Sequence, residues 1–255
     1  YFTPFSDWGK DPEAYINGNS GYKCKDAYLY ANGKTQNMVA GGLAMDPTHP
    51  AIKERIRETA ERFKRLGYEY IKIDFLTHGC AEADYYYDPE VQTGMQAYNK
   101  GMAYLLEQME GMYITMAISP LFPSQYAHSR RIACDAWAGI GDTEYTLNSL
   151  TYGWWLNQVY TYNDPDHLLL EPVSDGENRA RITSGVITGI FMNGDDLSYI
   201  SGIQVAKDKA RKFLTNEDIN AIAKMGKSFR PVNGNMDGAD FLFMHDTGKG
   251  LLNCV

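Results

Sequence analysis

Apolar positions recur along this chain in two alternating periods, one helical and one of two residues. From Thr48 to Gly67, Ile52, Ile56, Phe63 and Leu66 keep helical spacing while Lys53, Glu54, Arg57, Glu58 and Arg62 occupy the opposite face. The pattern predicts a helix with Pro50 in its first turn, where a missing N–H costs little, and with Gly67 as its stop. Period-two or short apolar runs predict strands at 1–6, 70–76, 113–119, 131–137, 159–163 and 189–196. Helical patterns fill 91–110, 144–157, 177–188, 205–213 and 216–227, and the Gly/Asn/Lys-rich residues 17–42 read as a long excursion.

Such alternation predicts an α/β protein with a parallel sheet. Six βα units are counted, whereas a (β/α)8 TIM barrel has eight in about 250 residues. The expectation is a barrel of which strands 3 to 8 are present over residues 1–227, followed at 228–255 by the start of a C-terminal β-sandwich domain. An open, doubly wound sheet is the alternative topology. Both ends read as cut within a fold: Tyr1-Phe-Thr-Pro-Phe-Ser6 resembles an apolar strand rather than the charged start of a signal peptide. Compartment and oligomeric state are left open.

Splitting the strands into their two faces locates the chemistry. In Tyr70-Ile-Lys-Ile-Asp-Phe-Leu76 one row is Ile71, Ile73 and Phe75, and the other carries Lys72 and Asp74. Within 131–137, Ile132, Cys134 and Ala136 oppose Arg131, Ala133, Asp135 and Trp137, while Thr115, Ala117 and Ser119 form a row of small residues that leaves room for a ligand. Parallel strands are normally apolar on both faces, so charged rows near successive strand ends need a reason. In a barrel that reason is usually an active site at the C-terminal mouth. Asn163-Asp-Pro-Asp166 and Asn193-Gly-Asp-Asp196 add acids at the same end, with Tyr85 to Tyr87, Trp137, Trp154, Trp155, Tyr160 and Tyr162 near those loops. Taken singly, each feature has a plain structural reading: Lys72 with Asp74, or Arg131 with Asp135, as a buried ion pair; the acidic tetrapeptides as turns and helix caps; the aromatics as core.

The 255 residues carry 24 Lys+Arg against 32 Asp+Glu, a formal net charge of −8, which lacks the basic footprint that a nucleic-acid or anionic-membrane partner needs. No apolar run approaches a membrane span. Cys24, Cys80, Cys134 and Cys254 show no CxxC and no ligand spacing, and the five histidines form no metal motif, which leaves them surface or packing roles, so no metal or cofactor is expected.

On these motifs the chain resembles the clan D glycoside hydrolases, the α-galactosidases and α-N-acetylgalactosaminidases of families 27 and 36. The carriers are Ala44-Met-Asp-Pro-Thr-His-Pro50 leading through a helix to Lys72-Ile-Asp74, then Arg131-x-x-x-Asp135, Asn163-Asp-Pro-Asp166 and Asn193-Gly-Asp-Asp196. The resemblance implies a retaining hydrolase of terminal α-galactosides, with Asp74 as nucleophile and Asp135 as acid/base. It implies Lys72, Arg131, Ser119, Trp137, Asp166 and Asp196 as substrate contacts and a carbohydrate, an α-galactoside oligosaccharide or glycoconjugate, as partner. Retention requires the two carboxyls about 5 to 5.5 Å apart, and Asp135 protonated at rest, which burial against Trp137 would favour and Arg131 oppose. The fifth-strand end Ala117-Ile-Ser-Pro120 departs from both families, which leaves the sugar open. Two other classes stay in view. One is a metal-dependent barrel using Asp74, Asp135, Asp166 and Asp196; the other is a non-catalytic sugar-binding protein.

Overall fold

The computed structural model describes residues 1–9, 11–18, 21–189, 192–198, 201–233 and 242–254, and the chain divides into two compact units, Tyr1–Ala127 and His128–Val255.

In the first unit, strand β1 (Ser6–Asp7) pairs antiparallel with β4 (Leu43–Ala44), and between them β2 (Tyr30–Ala31) and β3 (Lys34–Thr35) form a small hairpin. Asn32 and Gly33 turn that hairpin with φ of 52° and 70°, a geometry that Asn-Gly adopts readily, and the Asp84 carboxylate accepts both of their N–H groups. The predicted excursion is therefore ordered in the described residues. Helix α1 (Pro50–Arg65) starts where the sequence predicts, with His49 as N-cap accepting the Ala51 N–H through Nδ1 at 3.2 Å. Ile52 and Ile56 are fully buried, but Leu66, expected on the apolar face, is exposed because it is the C-cap, beyond the last packed turn.

Strand β5 (Tyr70–Ile73) pairs in parallel with β6 (Tyr113–Met116), and helix α2 (Gly94–Gln108) connects them. Thr93 and Gln96 form the capping box that starts α2. Phe2 lies on the other side of β5: it donates its N–H to the Lys72 carbonyl at 3.0 Å and accepts from the Asp74 N–H at 2.9 Å. The opening strand therefore runs parallel to β5 at this bridge. Ile71, Ile73, Ile114 and Met116 are buried, as expected for a parallel pair.

In the second unit, β7 (Ser129–Arg131) pairs in parallel with β8 (Tyr162–Asp164), helix α3 (Ile140–Tyr152) lying between them in sequence. Then β9 (His167–Leu168), α4 (Asp175–Thr188) and β10 (Met192–Asn193) form a second parallel β-α-β, followed by α5 (Ile203–Leu214) and α6 (Glu217–Ala223). Leu150, Val186, Ile187, Phe229 and Phe243 pack α3 and α4 against an antiparallel sheet of β11 (Arg230–Pro231), β12 (Phe243–Asp246) and β13 (Leu251–Cys254). The predicted strand at 189–196 is shorter, with residues 190 and 191 outside the described set.

One strand differs in kind. The alternation over 131–137 predicts a continuous strand, yet β7 ends at Arg131. Beyond Ile132, whose N–H still donates to the Asp164 carbonyl at 3.0 Å, the backbone donors go to side chains: Ala136 N–H to Asp166 at 2.9 Å and Trp137 N–H to Asp142 at 2.9 Å. Cys134, placed in the apolar row, is accordingly exposed. Among the described residues the parallel strands do not close into a ring, so the predicted barrel is seen as βα runs within each unit.

Candidate active site

In the first unit the candidate nucleophile sits one residue past β5. The ladder fixes its backbone, because Asp74 donates to Phe2 while Ile73, just before it, accepts from the Ala117 N–H at 2.9 Å. Its Oδ1 accepts the N–H of Phe75 at 2.7 Å, and Phe75 takes a left-handed φ of 55°. The chain then enters a 3-10 turn over Leu76–Cys80. Trp8 meets the Phe75 ring edge-on at 4.6 Å and lies against His78, whose protonation burial disfavours. Lys72 is half-buried and faces Thr115 in the β5–β6 register. Ser119 is buried three residues past β6, next to Ile118 at a left-handed φ of 40°, and the Ile118 carbonyl accepts from the Thr77 N–H at 2.8 Å.

In the second unit a buried arginine organises the site. Arg131, with a side chain 6% exposed, donates from Nη1 to Asp166 at 2.8 Å and from Nη2 to Asp135 at 2.7 Å. The two carboxylates sit in different environments: Asp166 is 1% exposed and Asp135 67%. The burial against Trp137 expected for Asp135 is thus absent; the strand that would have enclosed it ends four residues earlier. Asp166 adopts φ 76°, its N–H donates to Asp164 Oδ1 at 2.8 Å, and its second oxygen accepts from Ala136. The Asn163-Asp-Pro-Asp166 segment is therefore both a turn, through Asp164, and a charge centre, through Asp166.

His167, for which the sequence suggests only a surface or packing role, has its Nδ1 3.2 Å from the Asp166 carboxylate, and its ring meets Trp137 edge-on at 5.5 Å. It also rests on Gly194, where a Cβ would stand 2.4 Å from His167 Cδ2. The Gly of Asn193-Gly-Asp-Asp196 is thereby explained by close approach. Asp195 accepts the N–H groups of Leu170 and Glu171 at 2.9 and 3.0 Å. Asp196 is exposed, and hydrogen bonds from the Ser198 hydroxyl and from the Ser198 N–H, the latter at 2.8 Å, hold its carboxyl below the usual range.

The structure thus gathers Arg131, Asp135 and Asp166, with Trp137 beside His167, while Asp74, Lys72 and Ser119 lie at neighbouring strand ends of the other unit. Trp154 lies elsewhere, lining a cleft of about 520 Å³ with Lys227, Arg230 and Asp246. Among the described residues no group of His, Cys, Asp or Glu is arranged to hold a metal ion, and no helix is long and apolar enough to cross a membrane. Of the six non-glycine residues at positive φ among the described residues, three belong to the excursion and three, Phe75, Ile118 and Asp166, stand at or beside candidate residues just past strand ends. Left-handed backbone costs about 1–2 kcal/mol per residue, and such strain clusters at functional sites.

No known protein-family profile matches the chain. Solved structures do. An α-galactosidase from Thermus thermophilus, solved with p-nitrophenyl α-D-galactopyranoside, superposes with a TM-score of 0.62 at 21% identity over 85% of this chain and 47% of its own. A GH27 β-L-arabinopyranosidase from Geobacillus stearothermophilus gives 0.59 at 12% identity, over 92% and 55%. The GH36 α-galactosidase AgaA of the same species gives 0.55 at 13%, over 92% and 33%. The chain spans about half or less of the length of these enzymes. At such identities the likeness speaks to the fold, and that fold is the one shared by the GH27 and GH36 glycosidases of clan D.

Proposed function

We propose that this chain carries the catalytic barrel of a retaining glycoside hydrolase acting on terminal α-galactosides, with residues 1–227 as barrel and 228–255 as the start of a C-terminal β domain. The observation that carries the reading is the left-handed residue at or beside Asp74, Ser119 and Asp166, just past three strand ends of a clan D fold. In this reading an Asp74 oxygen attacks the anomeric carbon as the bond to the departing oxygen breaks. Asp135 gives that oxygen its proton. Asp135 then takes a proton from water, whose oxygen displaces Asp74 and releases the sugar. Arg131 serves both Asp135 and Asp166, so the buried Asp166 takes up part of its charge and Asp135 faces less than a full cation. Lys72, Ser119, Trp137 and Asp196 are assigned to substrate contacts.

The test is nitrophenol release from an aryl α-D-galactopyranoside by the intact protein. Loss of turnover in Asp74→Asn, insensitivity to chelator, and an Asp135→Ala defect that deepens as the leaving group becomes poorer are the expected results. Chelator-sensitive turnover would overturn the reading in favour of a metal enzyme. Activity confined to the α-N-acetylgalactosaminide would keep the mechanism and reassign the sugar.

A further inference from the structure

Trp137 is an exposed aromatic on an irregular loop whose backbone is nevertheless held on both sides. Its N–H donates to Asp142 Oδ2 at 2.9 Å, from the first turn of α3. Its carbonyl accepts from Arg181 Nη2, while Arg181 Nη1 donates to the Leu169 carbonyl at 2.5 Å, just past β9. Arg181 projects from α4 and is 1% exposed. Burying a guanidinium costs desolvation energy, here set against two backbone carbonyls that belong to the loop after β7 and the segment after β9. Trp137 remains 58% exposed, with its ring edge-on to His167, which packs closely against Gly194.

An exposed indole on a free loop would lose conformational freedom on meeting a ligand; one already fixed loses little. A flat apolar face of this kind suits the C–H surface of a sugar or an aryl group. Trp137 lies two residues beyond Asp135, the acid that hands its proton to the departing oxygen, so the adjoining surface meets the part of the substrate beyond the scissile bond. We infer that Asp142 and Arg181 are positioning residues that clamp Trp137 as a rigid platform for the leaving-group side of an α-glycoside. The inference rests on the glycosidase reading for the ligand, but the clamp itself can be measured without turnover.

Site-resolved amide hydrogen exchange of the intact protein tests the clamp, and hydrolysis of aryl and methyl α-D-galactopyranosides tests the platform. Asp142 is the position to vary, because loss of the fully buried Arg181 can prevent folding. In Asp142→Ala the Trp137 N–H should exchange about tenfold faster or more, while the Ala136 N–H, held by Asp166, keeps its protection. Asp142→Asn, whose amide oxygen can accept the same bond, should restore the slow exchange. KM for the aryl glycoside should rise several-fold in Asp142→Ala, with little change for the methyl glycoside. Unchanged exchange in a folded Asp142→Ala protein overturns the clamp, and equal KM rises for both substrates overturn the platform. A wild-type protein that hydrolyses neither these glycosides nor the corresponding α-N-acetylgalactosaminides overturns the glycosidase reading and the platform with it. Because exchange is read independently, that failure is distinguishable from failure of the clamp.

Discussion

The two candidate carboxylates are held by opposite means. Asp74 is placed by backbone: it follows a regular strand, its N–H enters a parallel ladder with Phe2, and apolar Ile71 and Ile73 anchor the row beneath it. Asp135 is placed by side chains: β7 has already ended, Arg131 donates to its carboxylate, and Asp166 and Asp142 accept the Ala136 and Trp137 N–H groups that a neighbouring strand would have engaged. A carboxylate fixed by a ladder depends on hydrophobic packing, whereas one held by an ion-pair network depends on a few charges. The two should therefore break differently.

The largest expected effect is in the network. Arg131→Met removes the cation from Asp166 and leaves a carboxylate buried, which should cost about 3–5 kcal/mol in urea unfolding of the second unit. Adding Asp166→Asn should recover much of that loss, since Asn tolerates left-handed backbone and can still accept from Ala136. A double variant no more stable than Arg131→Met would show that the charge is not what matters. On the other side of the comparison, Ile73→Val trims one methylene from a fully buried strand residue. It should cost about 0.5–1.5 kcal/mol by the same measurement on the first unit and leave Asp74 in place.

The same contrast explains what could be read in advance. β5 was legible because Ile71 and Ile73 alternate with Tyr70 and Lys72 and are in fact the buried row. The alternation breaks at Phe75, where the Asp74 side chain captures the next N–H and turns the chain left-handed. Over 131–137 the alternation was equally good but misleading. Side chains from residues 142 and 166 compete for the backbone donors, and a local pattern holds no record of partners that distant. Asp166 was legible through its tetrapeptide; His167 and Arg181 were not, because one pairs with its immediate neighbour and the other binds carbonyls, which leave no trace in residue types. Asp142 carried no signal, because the helical pattern places it before the helix at 144–157, and only the structure puts it in the first turn of α3.

A pH dependence sharpens the backbone side. His49 caps α1 through an unprotonated Nδ1, and burial lowers its pKa, with Asp46 and Asp26 opposing. The unfolded chain therefore binds the proton more tightly. The stabilisation from this group is complete above the unfolded pKa of about 6.5 and is lost as pH falls below it. His49→Asn supplies a cap that does not titrate. Between pH 7 and 5 the unfolding midpoint of the first unit should fall less in this variant than in wild type; equal slopes would remove His49 as the source.

The smallest expected effect on stability separates structure from chemistry. Asp135 is paired with Arg131 but mostly in water, so Asp135→Asn should change unfolding free energy by no more than about 1 kcal/mol. Arg131 keeps its buried partner Asp166 in that variant, and the amide oxygen introduced at position 135 can still accept one hydrogen bond from it. If Asp135 is the acid/base, glycoside turnover should nevertheless drop by about 10²- to 10⁴-fold for poor leaving groups, because an amide can neither give nor take the proton. A large stability loss without that kinetic signature would make Asp135 a structural member of the Arg131 network. A large kinetic loss on an unperturbed fold is what a residue held at the surface for its chemistry should show.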